Sequence, residues 1–525
     1  MNTNLNENMR YWVDQLTEKV DSAHPKNEII VSSGISPSGP YHVGHAREIL
    51  TAEALVRGLR ERGRKVRHLH FVDAFDALRK RYPYLPEKYE EEAGKPLFLI
   101  PAPDGKSKSY ADQYFSEYEA AANKLGIEME VIWTHKEYEA GKFTELIQKS
   151  LEKRDEIAEV LFRVSGRTVD NDWQPIQILD ETNNSLRTAQ FIGFDSQTGI
   201  VHYLGSDSKE HSADISKGQV KLDWRCDWPA RWAIYGIQVE GFGREHATKG
   251  GSYDTGVGIA REIYETLAPL PVPYENINLK GETKKMSSSL GNLVTIAQVL
   301  EIIPSEVLRY FTFKSRPERQ LLFDPALGLY NLIDEYAKTE SETLLGKDPE
   351  FKRAWQISLL KGDQHVISTV PFSHLVSSYQ TAQADEKIVF DILKRTGHTD
   401  AVKLQSDTIS RELVYVDHWL KNYAPDDVKF SVIGKPSIEC SQKQRGYLNL
   451  LQNKLIDLDF QAEAIHQTIY ETATEIDLPA KEAFQLIYQI FIGKNAGPRL
   501  GFFLSSLGKD FVLERIQDIS NQKRV

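Results

Sequence analysis

The sequence EIIVSSGISPSGPYHVGH, residues 28–45, carries the clearest structural pattern in the chain. Its first six residues form a short, mostly apolar run, which predicts a buried strand. The Gly- and Pro-containing residues 34–39 predict a turn, and a helical pattern then extends from Tyr41 to a stop at Gly63. Residues 66–72, VRHLHFV, predict a second strand. Because a strand, a helix and a strand follow one another within about 45 residues, we expect a crossover unit in a parallel sheet.

The rest of the chain changes character three times. Residues 100–230 contain many short β-prone runs and predict an insertion that is partly helical and then antiparallel. Residues 231–300 return to an α/β pattern, which completes a sheet domain begun by residues 1–99. After a connecting segment, residues 301–335, the pattern of residues 336–525 is mainly helical. We therefore expect an α/β protein with an inserted α+β domain and an all-helical C-terminal domain.

The composition is that of a globular protein, with 41% hydrophobic and 26% charged residues among 525. The formal net charge of −11 argues against indiscriminate binding to polyanions, but it does not exclude a local basic surface. Residues 57–68 are a candidate for such a surface, because six cations less one glutamate leave a net charge of +5. The alternative interpretation of this segment is a solvated helix end.

Cysteine content and hydropathy limit the class of protein. Cys226 and Cys440 are the two cysteines, too few for a disulfide scaffold or a four-thiolate zinc site. The first ten residues are polar and do not resemble a secretory signal. The most apolar stretch near the C-terminus, AFQLIYQIFIG, is too short to span a bilayer. We expect a soluble cytoplasmic protein with no membrane segment.

The tetrapeptide His42-Val43-Gly44-His45 lies where the predicted turn opens a helix. Free backbone N–H groups at a helix N-terminus favour phosphate, and two histidines three residues apart can share one face of the first turn. Gly44 removes a side chain where a flat base could approach the backbone. Two donors beside an α-phosphate suit the charge that builds during nucleotidyl transfer. The alternative is a pair of surface histidines.

A second motif is KKMSSS, residues 284–289, which Gly281 and Gly291 bracket. The flanking glycines predict a mobile loop, and a cation on such a loop can reach the outer phosphates of ATP. The alternative interpretation is a solvated basic turn. In their order and contexts, HVGH and KKMSSS resemble the two signatures of class I aminoacyl-tRNA synthetases.

Longer blocks of sequence resemble one branch of that family, the class I lysyl-tRNA synthetases. The strongest block is DWPARWAIYGIQVEGFGREHATKGGSYDTG, residues 227–256. Residues 32–55, 71–86 and 497–516 also resemble this branch, whereas residues 335–440 match it poorly. The resemblance therefore extends over most of the chain.

The resemblance implies a lysine–tRNA ligase that uses ATP with Mg²⁺ and has lysine and tRNA-Lys as its substrates. It implies a Rossmann-type catalytic domain in residues 1–99 and 231–300, and an acceptor-end-binding insertion in residues 100–230. Residues 336–525 would form a helical anticodon-binding cage, and we expect the enzyme to be a monomer. Two alternatives remain: a class I glutamyl-type synthetase, and a non-charging synthetase paralogue that acts as a binding or regulatory protein.

The resemblance also implies a set of site residues. The catalytic residues would be His42, His45 and Lys285. The ATP-binding residues would be Pro37, Gly44, Glu245, Met286, Ser287, Ser288 and Ser289. The lysine-binding residues would be Gly34, Ser36, Trp224, His246 and Tyr274, with Asp73 and Asp76 as candidate partners of an ammonium group. Aromatic walls suit the aliphatic stem of lysine and can attract its ammonium. The alternatives are core aromatics for Trp224 and Tyr274, and a helix cap and a surface charge for the two aspartates.

The chain departs from the family pattern at three places. Ser288 stands where the mobile signature usually has its second lysine, and Glu245 stands where a shorter aspartate is expected. Many relatives have cysteine pairs in the inserted region, but residues 165–225 contain none. Since His202 and His211 alone cannot complete a tetrahedral site, we expect no structural zinc. A small apolar core would replace the metal, built around Ile176, Phe191, Ile192, Val201 and Tyr203.

Overall fold

The computed structural model describes residues 11–25, 28–281, 294–360, 366–436 and 438–521. Five predicted site residues lie outside these ranges: Lys285, Met286, Ser287, Ser288 and Ser289. The chain divides into two compact units. The first contains Met1–Leu300, Leu308–Phe323 and Arg353–Leu360, and the second contains Glu301–Val307, Asp324–Lys352 and Lys361–Val525.

The described residues form the following strands and helices. The strands are β1 (Ile29–Ile35), β2 (Val66–Val72), β3 (Glu130–Trp133), β4 (Ile176–Ile178), β5 (Gln190–Asp195), β6 (Ile200–Leu204), β7 (Glu210–Asp214), β8 (Val220–Leu222), β9 (Val239–Gly243), β10 (Leu270–Tyr274), β11 (Ile277–Leu279) and β12 (Leu321–Phe323). The helices are α1 (Trp12–Ala23), α2 (Ala46–Glu61), α3 (Tyr110–Lys124), α4 (Thr134–Glu139), α5 (Thr144–Glu152), α6 (Arg154–Ser165), α7 (Trp224–Tyr235), α8 (Ser252–Glu262), α9 (Ile296–Val299), α10 (Ser305–Phe313), α11 (Gly328–Leu344), α12 (Lys352–Ser358), α13 (Phe372–Thr381), α14 (Glu386–Arg395), α15 (Thr399–Leu404), α16 (Ser406–Asn422), α17 (Gln442–Ile456), α18 (Ala462–Glu475), α19 (Ala480–Ile492), α20 (Leu500–Leu507) and α21 (Lys509–Asn521). Three-residue-per-turn helices span Val43–His45, Glu87–Glu90 and Arg244–Ala247.

The first unit is built on a five-stranded parallel sheet in the order β10-β9-β1-β2-β3. β1 and β2 pair in register from Ile29 with Val66 to Ile35 with Val72. The predicted parallel crossover unit is therefore confirmed. The strand order turns back between β1 and β9, and ligands of open parallel sheets bind at the carboxyl ends of the strands beside such a point.

α2 connects β1 to β2 and covers one face of the sheet. Its buried residues include Ile49, Leu50 and Leu55, all fully inaccessible to solvent, and they lie on different sides of the helix, so the helix is buried nearly all round. The chain leaves the helix through Gly63, whose φ of +78° is a left-handed value that glycine adopts without steric cost. The predicted stop signal is therefore confirmed.

The sheet takes one strand from residues 100–230, the stretch that the sequence predicts as an insertion. β3 pairs with β2 from Leu69 with Glu130 to Val72 with Trp133, and α3 precedes it as a second crossover helix. β3 is an edge strand of four residues with no fully buried side chain, so its sequence lacks the apolar run that identifies β1. The inserted elements begin after this strand.

Residues 134–222 contain three helices and two antiparallel pieces, the β4–β8 pair and the β5–β6–β7 sheet. Their shared core buries the predicted residues Ile176, Val201 and Tyr203, and Phe191 packs partly buried against it. The prediction for Ile192 is wrong: this side chain is 49% exposed. The β5–β6 register shifts between Phe191 and Gly193, and this bulge turns the intervening side chain away from the core.

The second unit is helical in its described residues after Asp324 and contains α11 and α13 to α21. Leu486, Ile487, Ile490 and Phe491 of α19 are buried in one apolar cluster of this unit. The predicted all-helical C-terminal domain is confirmed. No helix within the described ranges is long and apolar enough to cross a membrane.

The five arginines of the basic segment form ion pairs with acidic residues of other elements and of their own helix. Arg57 pairs with Glu53, Arg60 with Glu128, Arg62 and Arg64 with Asp21, and Arg67 with Glu130. These carboxylates neutralise much of the local positive charge, and exposed pairs of this kind contribute little to stability. The interpretation as a helix end facing solvent is therefore favoured over that of a surface for polyanions.

Candidate functional site

The carboxyl ends of four parallel strands bring the predicted site residues together. Gly34 lies at the end of β1, Asp73 directly follows β2, Glu245 and His246 follow β9, and Tyr274 ends β10. Register places Tyr274 beside Gly243 on the neighbouring strand. This edge of the sheet is the candidate site.

The HVGH turn fixes both histidine rings through their Nδ1 atoms. His42 Nδ1 accepts a hydrogen bond of 3.1 Å from the Gly44 N–H, and His45 Nδ1 accepts one of 3.2 Å from the His42 N–H. Since Nδ1 is the acceptor in both rings, the neutral tautomer of each carries its proton on Nε2. The rings lie 3.9 Å apart between centroids, so the turn presents two adjacent Nε2–H donors.

Gly44 has a packing role that the sequence did not indicate. A Cβ atom at this position would lie 2.7 Å from the His42 ring and 3.1 Å from the Ile277 carbonyl oxygen. Real Cβ contacts are longer than the first of these distances, so a side chain would displace the His42 ring or open the turn.

Both flanks of residues 282–293 are attached to the HVGH turn. On one side, β11 brings the Ile277 carbonyl against Gly44. On the other, the Val43 N–H donates to the Val294 carbonyl at 2.9 Å, and His42 forms an antiparallel bridge with Thr295. The chain therefore leaves the turn and returns to it around the segment that contains the KKMSSS motif.

Glu48 is a candidate site residue that sequence reasoning missed. Its Oε1 accepts a 2.7 Å hydrogen bond from the Gly34 N–H, and its Oε2 accepts one of 2.7 Å from the Tyr274 hydroxyl. Burial raises the pKa of Glu48 to about 7, although both hydrogen bonds lower it. The available signal was its position three residues after His45, on the same face of α2.

Trp224 and His246 form an aromatic group with Trp228. The two indoles are stacked at 5.3 Å between centroids, and the His246 ring lies 6.1 Å from Trp224 and 5.7 Å from Trp228. Trp224 begins α7, where the Asp223 side chain caps the helix by accepting from the Arg225 N–H. The structure thus divides the predicted lysine-binding residues into an aromatic group and a group around Glu48.

Asp73 and Asp76, predicted as partners of an ammonium ligand, already have cations of this chain beside them. Arg231 Nη2 lies 2.7 Å from Asp73 Oδ1, and Lys221 Nζ is hydrogen-bonded to Asp76. Arg231 also pairs with Asp227. Burial raises the pKa of Asp73 to about 7, although Arg231 lowers it.

This buried ion cluster has more negative than positive groups. Three carboxylates, Asp73, Asp76 and Asp227, face two cations, Lys221 and Arg231, which leaves one negative charge uncompensated when all five are ionised. Asp73 Oδ1 already has the Arg231 guanidinium 2.7 Å away, so the support for a cationic ligand is the surplus negative charge of the cluster.

The remaining predicted ATP-binding residues within the described ranges lie on the loop after β1 and in the short helix Arg244–Ala247 after β9. Pro37 is buried in the loop after β1. Glu245 is exposed, and its carboxylate folds back toward Gly243 at the end of β9, near enough to Tyr274 to raise the pKa of that phenol further. Burial is the larger cause of that increase.

His202 and His211, the two candidate metal ligands of the inserted region, face carboxylates. His211 Nδ1 lies 2.6 Å from Glu181 Oε1, and its Nε2 lies 2.9 Å from Asp207 Oδ1; these hydrogen bonds raise the pKa of His211. His202 Nδ1 lies 3.5 Å from Glu210. The described part of the chain contains no group of three or more His, Cys, Asp or Glu side chains that could hold a metal ion.

We expect purified, chelator-washed protein to contain no stoichiometric zinc by elemental analysis. The physical reason is the ligand set: Cys226, the one thiol near this region, is fully buried in the apolar core, and a structural zinc site needs four donors. One tightly held zinc per chain, lost together with folding of this region on His202→Ala, would contradict the expectation.

Comparison with known proteins adds family information to this geometry. A family model described as "tRNA synthetases class I (K)" matches residues 10–361, and one described as "Anticodon binding domain" matches residues 433–520. The chain is 38% identical to a lysine–tRNA ligase of Archaeoglobus fulgidus over 508 residues, covering 97% of this chain and 99% of that protein. It is 37% identical to lysine–tRNA ligase 1 of Methanosarcina acetivorans over 536 residues, covering 97% and 98% respectively. Among solved structures, a glutamate tRNA ligase from Elizabethkingia meningosepticum aligns at 13% identity with a TM-score of 0.45, covering 95% of this chain and 100% of that one.

Proposed function

The chain belongs to the class I tRNA synthetases of the lysine type and is a lysine–tRNA ligase, and we propose how its residues perform the reaction. The observation that supports the proposal best is the pair of Nε2–H donors on the HVGH turn, beside a cleft that contains buried carboxylates. The donors suit a reacting phosphate, and the carboxylates suit a substrate with two ammonium groups.

The reaction has two steps. A carboxylate oxygen of lysine attacks the α-phosphorus of ATP, the bond to the bridging oxygen breaks, and pyrophosphate leaves. The 2′-hydroxyl of the terminal adenosine of tRNA then attacks the lysyl carbonyl, and AMP leaves. His42 and His45 would donate hydrogen bonds to the α-phosphate oxygens as their charge rises, and the remaining contribution is positioning.

Lysine presents two ammonium groups, and the cleft offers two anionic positions. One is Glu48 with the Tyr274 hydroxyl, and the other is Asp73 in the buried ion cluster. Gly34 and Ser36 would line the pocket between them, and the aromatic group of Trp224 and His246 would enclose the aliphatic stem. Glutamate shares the α-ammonium group but would bring a side-chain carboxylate to the second anionic position, which argues against the glutamyl alternative.

ATP would bind beside the HVGH turn. Pro37, Gly44 and Glu245 would contact the nucleotide, and residues 286–289 would contact its phosphates. Lys285 would hold the outer phosphates, because both flanks of its segment are attached to the turn. Mg²⁺ would accompany ATP as a charge partner, held mostly by phosphates and water.

The same proposal assigns a tRNA-binding role to two further parts of the chain. The elements between β3 and β9 would bind the acceptor end of tRNA-Lys, and the helical second unit would bind its anticodon. The anticodon-binding family model, which covers residues 433–520, supports the second role. We propose that the enzyme works in the cytoplasm as a monomer.

Lysine is expected to be the one standard amino acid that supports rapid ATP–pyrophosphate exchange. The reason is the pair of anionic positions, which no amino acid with a neutral or acidic side chain matches. Measuring exchange with each amino acid, followed by aminoacylation of tRNA-Lys, tests this. Exchange with glutamate and none with lysine would support the glutamyl alternative, and binding of lysine or tRNA without exchange would support the regulatory one.

The kcat/KM for lysine is expected to fall as the pH is lowered through about 7. Glu48 and Asp73 each have a pKa of about 7, so below that pH they become neutral and no longer attract ammonium groups. Between pH 8 and pH 6 the loss should be about tenfold for one carboxyl and about a hundredfold for both. The measurement is the pH profile of lysine-dependent exchange, with the profile for ATP as reference.

The variant Glu48→Gln separates the two titrations. It keeps an amide near the Gly34 N–H and Tyr274 but cannot ionise, so its smaller remaining pH dependence would belong to Asp73. A wild-type profile that is flat between pH 6 and pH 8 would rule out both carboxyls as ammonium partners.

A further inference from the structure

Lys221 is a buried cation that the proposed mechanism does not use. It lies in β8 opposite Gln177 of β4, and only 4% of its surface is exposed. Its Nζ donates to Asp76 and lies 6.0 Å above the Phe75 ring. A desolvated ammonium is costly unless a carboxylate faces it, so the Lys221–Asp76 pair fixes both side chains.

Asp76 connects this pair to the candidate pocket. The side chain of Ser36, the residue that directly follows β1, lies near enough to the Asp76 carboxylate to lower its pKa. Burial works against ionisation of Asp76, but Lys221 and Arg231 outweigh it and lower the pKa of Asp76. The carboxylate is therefore charged, adjacent to Ser36, and held in place by a residue of the β4–β8 pair.

We propose that Lys221 is a positioning residue for the amino-acid pocket, acting through Asp76 on Ser36, so that the β4–β8 pair sets the affinity for lysine. The inference rests on the proposed role of Ser36 in the pocket. The β4–β8 pair, which lies outside the parallel sheet, would then have a function in substrate binding.

A purely electrostatic role for Lys221 predicts the opposite sign. Removing this cation makes the buried ion cluster more negative, which by charge alone would tighten the binding of lysine. In the positioning role, removal frees Asp76, whose side chain is already 35% exposed, to turn toward solvent and release Ser36. Lysine would then bind more weakly. The sign of the change in affinity distinguishes the two roles.

The test compares Lys221→Met with Lys221→Arg, Asp76→Asn and Lys217→Met in the full-length enzyme. Lys217→Met is the matched control, because it removes a cation from an ion pair with Asp214 in the same region, at a side chain that is 71% exposed. Steady-state ATP–pyrophosphate exchange gives kcat and the two KM values, and calorimetry gives the Kd for lysine without ATP.

Lys221→Met and Asp76→Asn are each expected to raise the KM and Kd for lysine about tenfold, with kcat and the KM for ATP changed less than about twofold. Lys221→Arg should restore most of the affinity, and Lys217→Met should resemble wild type. In a Ser36→Ala background, Lys221→Met should have no further effect on lysine binding, since its effect passes through that hydroxyl.

Three results would overturn the inference: tighter or unchanged lysine binding in Lys221→Met, an equal rise in the KM values for lysine and ATP, or full additivity with Ser36→Ala. If Lys221→Met does not fold, Lys221→Gln and Asp76→Asn provide the same comparison. Absence of lysine-dependent exchange in the wild-type enzyme would instead contradict the proposed function. That result differs from the three above, in which the wild-type enzyme is active.

Discussion

Replacing His45 with alanine is expected to lower the rate of lysine-dependent adenylate formation by about 10²–10³-fold, the usual loss for one donor that acts in the transition state. The reason is the tautomer: His45 Nδ1 accepts the His42 N–H, so the neutral ring carries its proton on Nε2, the atom that would donate to the reacting phosphate. Lysine binding should change little, since His45 belongs to neither anionic position. Single-turnover adenylation and the Kd for lysine measure the two quantities separately.

Two further variants separate the two roles of the His45 ring, in which Nε2–H is the proposed donor and Nδ1 accepts the His42 N–H. The amide of His45→Asn can replace Nδ1 as acceptor for the His42 N–H, so this variant should keep the turn and its thermal stability but lose the rate. His45→Gln places an N–H near the Nε2 position and should retain more activity than alanine. If kcat is intact in His45→Ala and the KM for lysine rises instead, His45 is a binding residue and its proposed role is wrong.

The elements that the sequence predicted well are those with a strong local pattern. β1 and β2 are apolar runs bounded by turn residues, and α2 has a buried face and a glycine stop. Local periodicity suffices for such elements because side chains that face one core recur at fixed spacing. β3 lacks this pattern, since an edge strand of four residues buries little, and its place in the sheet depends on α3 crossing to β2.

Sequence reasoning named candidate residues in contiguous motifs and did not name those whose place depends on contacts between distant residues. Glu48 meets Gly34 across 14 residues and Tyr274 across 226, and no local spacing indicates such a pair. The ion cluster similarly joins Asp76 to Lys221 across 145 residues. From sequence alone, a carboxylate in a helix is interpreted as a charge that faces solvent, because the partner that the fold brings against it is not visible.

The same limit explains the basic segment of residues 57–68. Its net charge of +5 is real in the sequence, but Asp21, Glu128 and Glu130 come from elements outside the segment and neutralise it. A local charge count cannot include such partners. Basic character in one helix end is therefore weak support for contact with RNA when the acidic neighbours are unknown.

Replacing Lys285 with alanine is expected to lower the rate of adenylate formation by about 10²–10³-fold, whereas Lys284→Ala should lose less than about tenfold. Lys285 occupies the cation position of the KKMSSS motif, and Ser288 stands where the family usually has a second lysine. One cation must then neutralise most of the charge that develops on the leaving pyrophosphate. Single-turnover adenylation at saturating ATP and lysine measures this, because it isolates the chemical step from binding.

Ser288→Lys provides the complementary variant. If Lys285 carries the role alone because Ser288 lacks a charge, Ser288→Lys in the Lys285→Ala background should recover part of the lost rate, while in the wild type it should add little. The attachment of both flanks of the segment to the HVGH turn favours this recovery, since a cation three residues further along the chain remains within about 10 Å of the original position. Equal defects in Lys284→Ala and Lys285→Ala would show that the two neighbouring lysines share the role. Ser288→Lys would then not be expected to restore the rate of adenylate formation in either variant.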